Sequence, residues 1–292
     1  MIVVTSPTGR IGSKLVPQII GRGEAVRVIA RAPERLSVAV RDATDVVTGS
    51  HRDRRVVDRA FDGADTLFWL MPADPGAASP FDAYVTASVP AADAVVHSSI
   101  ERVVIISALG RDKQLYAGHV SASHAMEDLF RSTGAHVRAL QMPPFMDNFL
   151  RQLPAIANGF FTGTLPQDTT QPWVATDDIA TAAAALLLDR TWTGQDSVPV
   201  LGPEDLSLND IARLLTESLG TPITFKPGDR DADKAAAIEH GFSPAMAQSL
   251  IDMDIAGERG INDGIARTPL NTGATTFRRF IDETVRPALT SR

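Results

Sequence analysis

The stretch Val3-Val4-Thr5-Ser6-Pro7-Thr8-Gly9-Arg10-Ile11-Gly12 runs from an apolar strand through a tight turn directly into a helix. Gly9 lets backbone N–H groups approach a pyrophosphate with no side chain between, and Gly12 lets the helix lie close to the sheet with its N-terminal dipole toward the anion. Ser6 stands where the first glycine of such a loop normally sits, a substitution that fits if its backbone keeps a negative φ. Two glycines three apart also serve ordinary strand-to-helix turns. The weight therefore rests on the setting: first strand of the chain, then a helix, then another strand. On this reading Ser6, Thr8, Gly9, Arg10, Ile11 and Gly12 line a phosphate cradle.

Outward from that loop the pattern repeats. Short β-rich apolar runs at Ile2–Thr5, Val26–Ala30, Asp45–Thr48, Thr66–Leu70, Val103–Ser107 and Val137–Leu140 alternate with stretches of helical length at Ile11–Ile20, Arg54–Phe61, Phe81–Ser98 and Ser121–Ser132. Runs such as Val103-Val104-Ile105-Ile106 are apolar at every position, as strands covered by helices on both faces must be. Gly21, Gly63 and Gly134 fall where helix ends favour a left-handed residue. Beyond Pro143 the alternation gives way to helices at Asp177–Asp189, Ser207–Leu219, Ala232–His240 and Ser243–Asp254, with strands expected near Ser197–Leu201 and Pro222–Lys226. The expected fold is α/β, a doubly wound parallel sheet of the Rossmann kind with a smaller, mainly helical carboxyl-terminal substrate lobe. Residues 1–150 would form the dinucleotide-binding domain and 151–292 the lobe, packed against the first and partly contributing to it.

Composition narrows the functional classes. The 292 residues carry 28 basic and 35 acidic side chains, a net charge of −7, and 44% are hydrophobic, which describes an ordinary folded chain able to bury a large core. The absence of cysteine excludes disulfides, thiolate metal sites and a cysteine nucleophile. Mild acidity argues against a general nucleic-acid binder. The longest apolar run, Ala182 to Leu188, is too short to span a membrane, and the first ten residues already read as strand and turn, so a cytoplasmic location is expected. Six histidines, at 51, 97, 119, 124, 136 and 240, lack metal-ligand spacing; His119 and His124, five apart, stand about 140° apart around a helix. No metal is expected. Neither a Gly-x-Ser-x-Gly elbow nor a Walker loop is present.

Nineteen residues after Gly12, the second strand ends in Ala30-Arg31-Ala32-Pro33-Glu34-Arg35. An acidic residue there would bond ribose hydroxyls and favour NAD; Arg31 and Arg35 instead suit a 2′-phosphate, which implies NADP(H). The plainer alternative is a pair of solvated loop charges. The aromatic and sulfur side chains Trp69, Met71, Phe81, Tyr84, Phe145, Phe149, Phe160, Phe161 and Trp173 gather near predicted strand ends, as core or as walls for a flat apolar substrate. Arg278, Arg279 and Arg286 read as a solvated helix face.

With these segments in view, the chain resembles the NmrA-like branch of the atypical short-chain dehydrogenase/reductases over nearly its whole length. The resemblance is carried by Gly63-Ala64-Asp65-Thr66-Leu67-Phe68-Trp69-Leu70-Met71-Pro72, Arg102-Val103-Val104-Ile105-Ile106-Ser107-Ala108-Leu109-Gly110 and Pro143-Pro144-Phe145-Met146-Asp147-Asn148. Val174-Ala175-Thr176-Asp177-Asp178-Ile179-Ala180 and Leu201-Gly202-Pro203-Glu204-Asp205-Leu206-Ser207 add to it. It implies that Ser107 and Ala108 border the nicotinamide ribose, and that the loop with Pro144 and Phe145 closes over the nicotinamide. It also implies that Met71 and Phe145 lie beside the cofactor; with Phe81, Tyr84 and Trp173 they are the candidate substrate walls.

The chain departs from the wider superfamily where catalysis is concerned. The Tyr-x-x-x-Lys pair, in which the phenol donates a proton and the lysine lowers its pKa, is missing: Tyr116 is followed four residues later by Val120. Alignment on Glu127 puts Ser123 in the lysine slot, with His124 beside it as the nearest candidate for a contact to ribose or substrate. The alternative is a surface histidine paired with Asp128. Gln141-Met142 replaces an Arg-Pro that many relatives carry. A site without a tyrosine acid suits acceptors whose reduced anion is already delocalised, so the expected activity is NADPH-dependent reduction of a quinone-like or polyaromatic small molecule. The competing expectation is a non-catalytic NADP(H)-sensing regulatory protein. An isomerase or dehydratase is a third. The sequence leaves the oligomeric state open.

Overall fold

The apolar runs form strands where they stand: β1 (Ile2–Thr5), β2 (Val26–Ala30), β3 (Asp45–Thr48), β4 (Thr66–Trp69), β5 (Arg102–Ala108) and β6 (His136–Met142), followed by β7 (Phe160–Gly163), β8 (Gln195–Pro199) and β9 (Thr224–Pro227). These elements come from a computed structural model that describes residues 1–290. Seven strands make one parallel sheet in the order β3-β2-β1-β4-β5-β6-β8, and β7 pairs with β9 in a second, two-stranded sheet. Strand order reverses between β1 and β4. The crevice beyond the carboxyl ends of those two strands is where such a sheet receives a ligand.

Both faces of the sheet are buried. Ile2, Val4, Val28, Phe68, Val104 and Leu140 pack beneath the helices Gly12–Ile20 and Thr176–Leu188, whereas the intervening Val3, Ile29, Leu67, Trp69, Val103 and Ile105 pack beneath Arg54–Phe61, Val89–Val96 and His119–Arg131. This two-residue alternation of apolar side chains, filled on both sides, is what a parallel sheet sandwiched by helices requires. A third core, built on Phe149, Phe161, Trp173, Ile211, Leu215, Phe277 and Ile281, belongs to the mainly helical carboxyl-terminal lobe. That half of the chain also returns β8 to the edge of the main sheet. Among the described residues no helix is long and apolar enough to cross a membrane.

Two local expectations are corrected. The stretch Phe81–Ser98 is not one helix but Pro80–Tyr84, a 3-10 turn at Thr86–Ser88 and Val89–Val96. Pro90, which has no N–H to give a preceding turn, is tolerated only in the first turn of the last piece. Gly21 keeps a right-handed φ of −61°, its N–H bonding Pro17 O, and the left-handed turn is made by Gly23 at φ +80°. Gly63 and Gly134 do adopt positive φ.

Candidate active site

The loop after β1 is built around close backbone contact. A Cβ on Gly12 would stand 2.2 Å from Ser6 O and 2.8 Å from Pro7 Cα, so only glycine lets the helix start against the strand. No side chain caps this helix and no acidic residue stands in its first turn; Ser13 N and Lys14 N bond Gly9 O at 2.9 Å and Ile11 O at 3.0 Å, which leaves the N–H groups of Ile11 and Gly12 and the dipole for an anion. Ser6 departs from expectation. Its φ is +53°, and Ser6 is the one non-glycine residue with positive φ among the described residues. The first slot of the loop needs a left-handed turn whichever residue fills it, and here the Ser6 hydroxyl holds the turn by donating to Leu70 O at 3.2 Å. Thr5 ties the same edge: its hydroxyl accepts from Leu70 N at 2.8 Å and lies 3.1 Å from Leu70 O, to which it donates. Because relief of the left-handed strain and loss of the Leu70 bond oppose each other, Ser6→Gly is expected to change stability by less than about 1 kcal/mol. Ser6→Val, β-branched at positive φ, should lose about 2 kcal/mol or more in urea unfolding.

Arg10, an exposed residue, spends part of its guanidinium across the fold. Its guanidinium donates to the backbone carbonyl of Asp147, in the loop after β6. Asp147, only 2% exposed, is a hub: its carboxylate accepts from Thr176 N at 2.9 Å, Thr176 Oγ1 at 2.6 Å and Lys14 Nζ at 3.5 Å. Lys14 also donates to Thr176 Oγ1 at 2.7 Å and pairs with Asp177. These bonds staple the opening helix, the loop after β6 and the start of Thr176–Leu188 into one floor. The spacing of Lys14, Asp147 and Thr176 offers no local signal, because the three meet only through the tertiary fold.

At the carboxyl ends of β2 and β3 the charges are arranged differently. Arg31 and Arg35 are exposed, and their guanidiniums have no hydrogen-bond or ion-pair partner among the described residues. Beside them Arg52 is anchored to Asp74 at 3.0 Å and Pro72 O at 3.3 Å. His51 is buried edge-on to Trp69, and burial, helped by Arg52 and Arg31, pushes its pKa down to about 4. The patch is thus cationic with two unspent guanidiniums, which fits a phosphoryl group.

Toward the middle of the sheet, Ser107 is buried and donates to Glu127 Oε2 at 2.8 Å; Gln141, its register partner on β6, donates to the same oxygen at 3.3 Å. Gln141 therefore serves this buried carboxylate. His124 does not pair with Asp128, which Arg111 takes; its Nε2–H instead donates to Ala108 O at 2.9 Å. Pro144 and Phe145 are fixed by exchange with Val174: Val174 N donates to Pro144 O at 3.2 Å and Met146 N to Val174 O at 2.9 Å.

The candidate substrate walls are not all brought together. Trp173 lies in the lobe core, its indole donating to Leu206 O at 3.0 Å and its ring against Phe149, while Phe81 is 43% exposed. Met71 and Tyr84 share the cluster under β4, and Phe145 packs against the opposite face of the sheet. His119, which sequence reasoning left without a role, meets Tyr84 edge-on at 5.8 Å. A signal for it existed: the alignment that puts Ser123 in the lysine slot puts His119 four residues earlier, in the tyrosine slot. Among the described residues no group of three or more His, Asp or Glu side chains is placed to hold a metal ion.

Known proteins match nearly the whole length of the chain. A (4-alkanoyl-5-oxo-2,5-dihydrofuran-3-yl)methyl phosphate reductase of Streptomyces griseus subsp. griseus is 29% identical over 285 residues, 97% of this chain and 96% of that protein. An NAD(P)H azoreductase of Xenophilus azovorans is 25% identical over 296 residues, 96% of each chain. The structure of an NADPH-dependent quinone oxidoreductase from Escherichia coli, complexed with NADPH, superposes with a TM-score of 0.81 at 20% identity, covering 98% of this chain and 99% of that one. Residues 1–274 match the model of the NmrA-like family, and the chain belongs to that family.

Proposed function

We propose that the protein is an NADPH-dependent reductase of a quinone-like or polyaromatic small molecule. The observation that carries this reading is the uncapped helix start at Gly12 beside the unpaired Arg31 and Arg35, all on the carboxyl edge of the sheet. Gly9 to Gly12 would hold the pyrophosphate and Arg31 with Arg35 the 2′-phosphate; the loop with Pro144 and Phe145, stapled through Asp147, would cover the nicotinamide. Residues 1–150 supply these contacts, and 151–292 cover the acceptor. When bound, NADPH supplies a hydride, and the acceptor takes it together with one proton from water.

The chain's own part is to bind, orient and keep the acceptor dry. Tyr84 and Phe145, both half-buried, offer apolar surface with Met71 packed behind, and His124, whose Nε2–H is committed to Ala108, has only Nδ1 to offer ribose or substrate. Water suffices as proton source because a quinone-like acceptor yields a delocalised anion. The similar proteins support this choice, since quinone, azo and alkanoyl-oxo-dihydrofuran groups are all conjugated acceptors. NADPH oxidation followed at its absorbance with a panel of naphthoquinones and azo dyes tests the reading: turnover is expected, and tight NADPH binding with no acceptor reduced would overturn it.

Arg31→Ala tests the cofactor. A lost charge-assisted phosphate contact costs about 1.5–3 kcal/mol, so NADPH affinity should fall roughly tenfold to hundredfold while NADH affinity holds. Stability should change little, because the guanidinium makes no hydrogen bond or ion pair among the described residues. Equal weakening for both dinucleotides would place Arg31 elsewhere.

A further inference from the structure

His119 opens the helix His119–Arg131 at the carboxyl edge of the sheet, and Tyr84 closes Pro80–Tyr84 at the same edge. The junction is fixed from a third side. Gly118, at φ +51°, lies so close to the helix Pro244–Glu258 that a Cβ there would stand 2.2 Å from Ser249 O. His119 is therefore held where the elements after β4 and β5 meet the carboxyl-terminal lobe. Both its ring nitrogens are shielded from solvent, yet neither has a hydrogen-bond partner. The facing Tyr84 hydroxyl has no partner among the described residues either, and burial raises its pKa to about 12, so it stays protonated.

Two unmet polar atoms on one buried ring are costly, and nothing in the surrounding packing accounts for them. Burial lowers the imidazole's basicity with no contribution from a charged neighbour, which keeps the ring neutral, with one N–H to donate. We propose that His119 is an acceptor-binding residue, whose neutral imidazole donates a hydrogen bond to the oxygen or nitrogen of the acceptor on which negative charge gathers. It gives up no proton. The bond strengthens as the acceptor becomes anionic, and water supplies the proton afterwards, so the site needs no tyrosine acid. This assignment rests on the reductase reading, and it differs from that reading in what would sink it.

The test compares His119→Phe, which keeps a flat ring without donors, with His119→Gln, which restores an N–H. With 1,4-naphthoquinone as acceptor, His119→Phe should lower kcat/KM about tenfold to hundredfold. His119→Gln should recover most of it, and NADPH affinity should stay within twofold throughout. A structural histidine would destabilise the chain when replaced; here the melting temperature of His119→Phe should hold or rise, because two unsatisfied atoms disappear. Independently of turnover, the ring-carbon resonance of His119, assigned by its loss in His119→Phe, should shift when naphthoquinone is added to the NADP⁺-loaded chain. Turnover by His119→Phe at the wild-type rate, or a resonance that does not move in a chain that turns over, overturns the assignment and leaves the reductase reading intact. A resonance that moves in a chain that reduces no acceptor overturns the reductase reading and supports the binding role. Neither binding nor turnover overturns both.

Discussion

Gly12→Ala is expected to remove tight NADPH binding and to cost about 2–3 kcal/mol of stability, the range for overpacking a close contact. The new Cβ would meet Ser6 O at 2.2 Å and Pro7 Cα at 2.8 Å, and both are backbone. Neither can turn away. Ser6 already sits at φ +53° and is tied to Leu70, and the ring of Pro7 fixes its own φ. The helix must therefore lift from the strand, carrying with it the N–H groups that would face the pyrophosphate. Loss of two charge-assisted contacts of that kind amounts to about a hundredfold or more in affinity. Gly9→Ala is the control: its Cβ would meet Ser6 O at 3.2 Å, a contact that small shifts can absorb, so stability should fall by less than about 1 kcal/mol. Calorimetric NADPH titration and urea unfolding of both variants check this, and a Gly12→Ala chain that binds like wild type would show that the anion sits somewhere other than this loop.

The parts of the fold legible in sequence are those set by local pattern. β1 and β2 fall on the apolar runs without adjustment, because strands buried on both faces need apolar residues at consecutive positions. β7 was hidden by its partner. Phe160-Phe161 reads as two aromatic residues in search of a core, and only pairing with Thr224–Pro227, more than sixty residues on, makes it a strand. The site divides in the same way. The glycines and Arg31 are visible because a phosphate loop is contiguous in sequence; Lys14, Asp147 and Thr176 are not, since their contact is made by three separate segments. Side chains with two possible duties were the hardest. Trp173 as easily lines a slot as fills a core, and His124 as easily pairs within its helix as reaches a strand end; in both, tertiary neighbours decided.

Glu127→Ala should destabilise the chain by about 3–5 kcal/mol at neutral pH, because removal of one member of a buried ionic network strands the others. Glu127 is fully buried. One oxygen accepts from Arg131 Nε at 2.9 Å, Arg131 Nη2 at 2.7 Å and Ser197 Oγ at 3.3 Å, and the other from Ser107 and Gln141. The carboxylate thereby clamps three adjacent strands, β5, β6 and β8, near Ala108, where β5 ends, and the loop bearing Phe145, which follows β6. Burial by itself would raise its pKa, but Arg131, the Ser107 hydroxyl and Arg111 outweigh it and hold the group below its ordinary 4.5. A folded-state pKa below the unfolded value means that the clamp is at full strength above about pH 5 and weakens as pH falls through 4.5 toward the folded-state pKa. Glu127→Gln keeps the shape and loses the charge, so it should be milder than alanine at about pH 7 and draw closer to wild type as pH falls and the native carboxyl gains its proton. Urea unfolding of the three chains from neutral pH into the acid range measures this. A Glu127→Gln deficit that stays constant across the acid range would mean that the charge contributes nothing, and that the strand ends are held by the neutral hydrogen bonds to Ser107, Gln141 and Ser197.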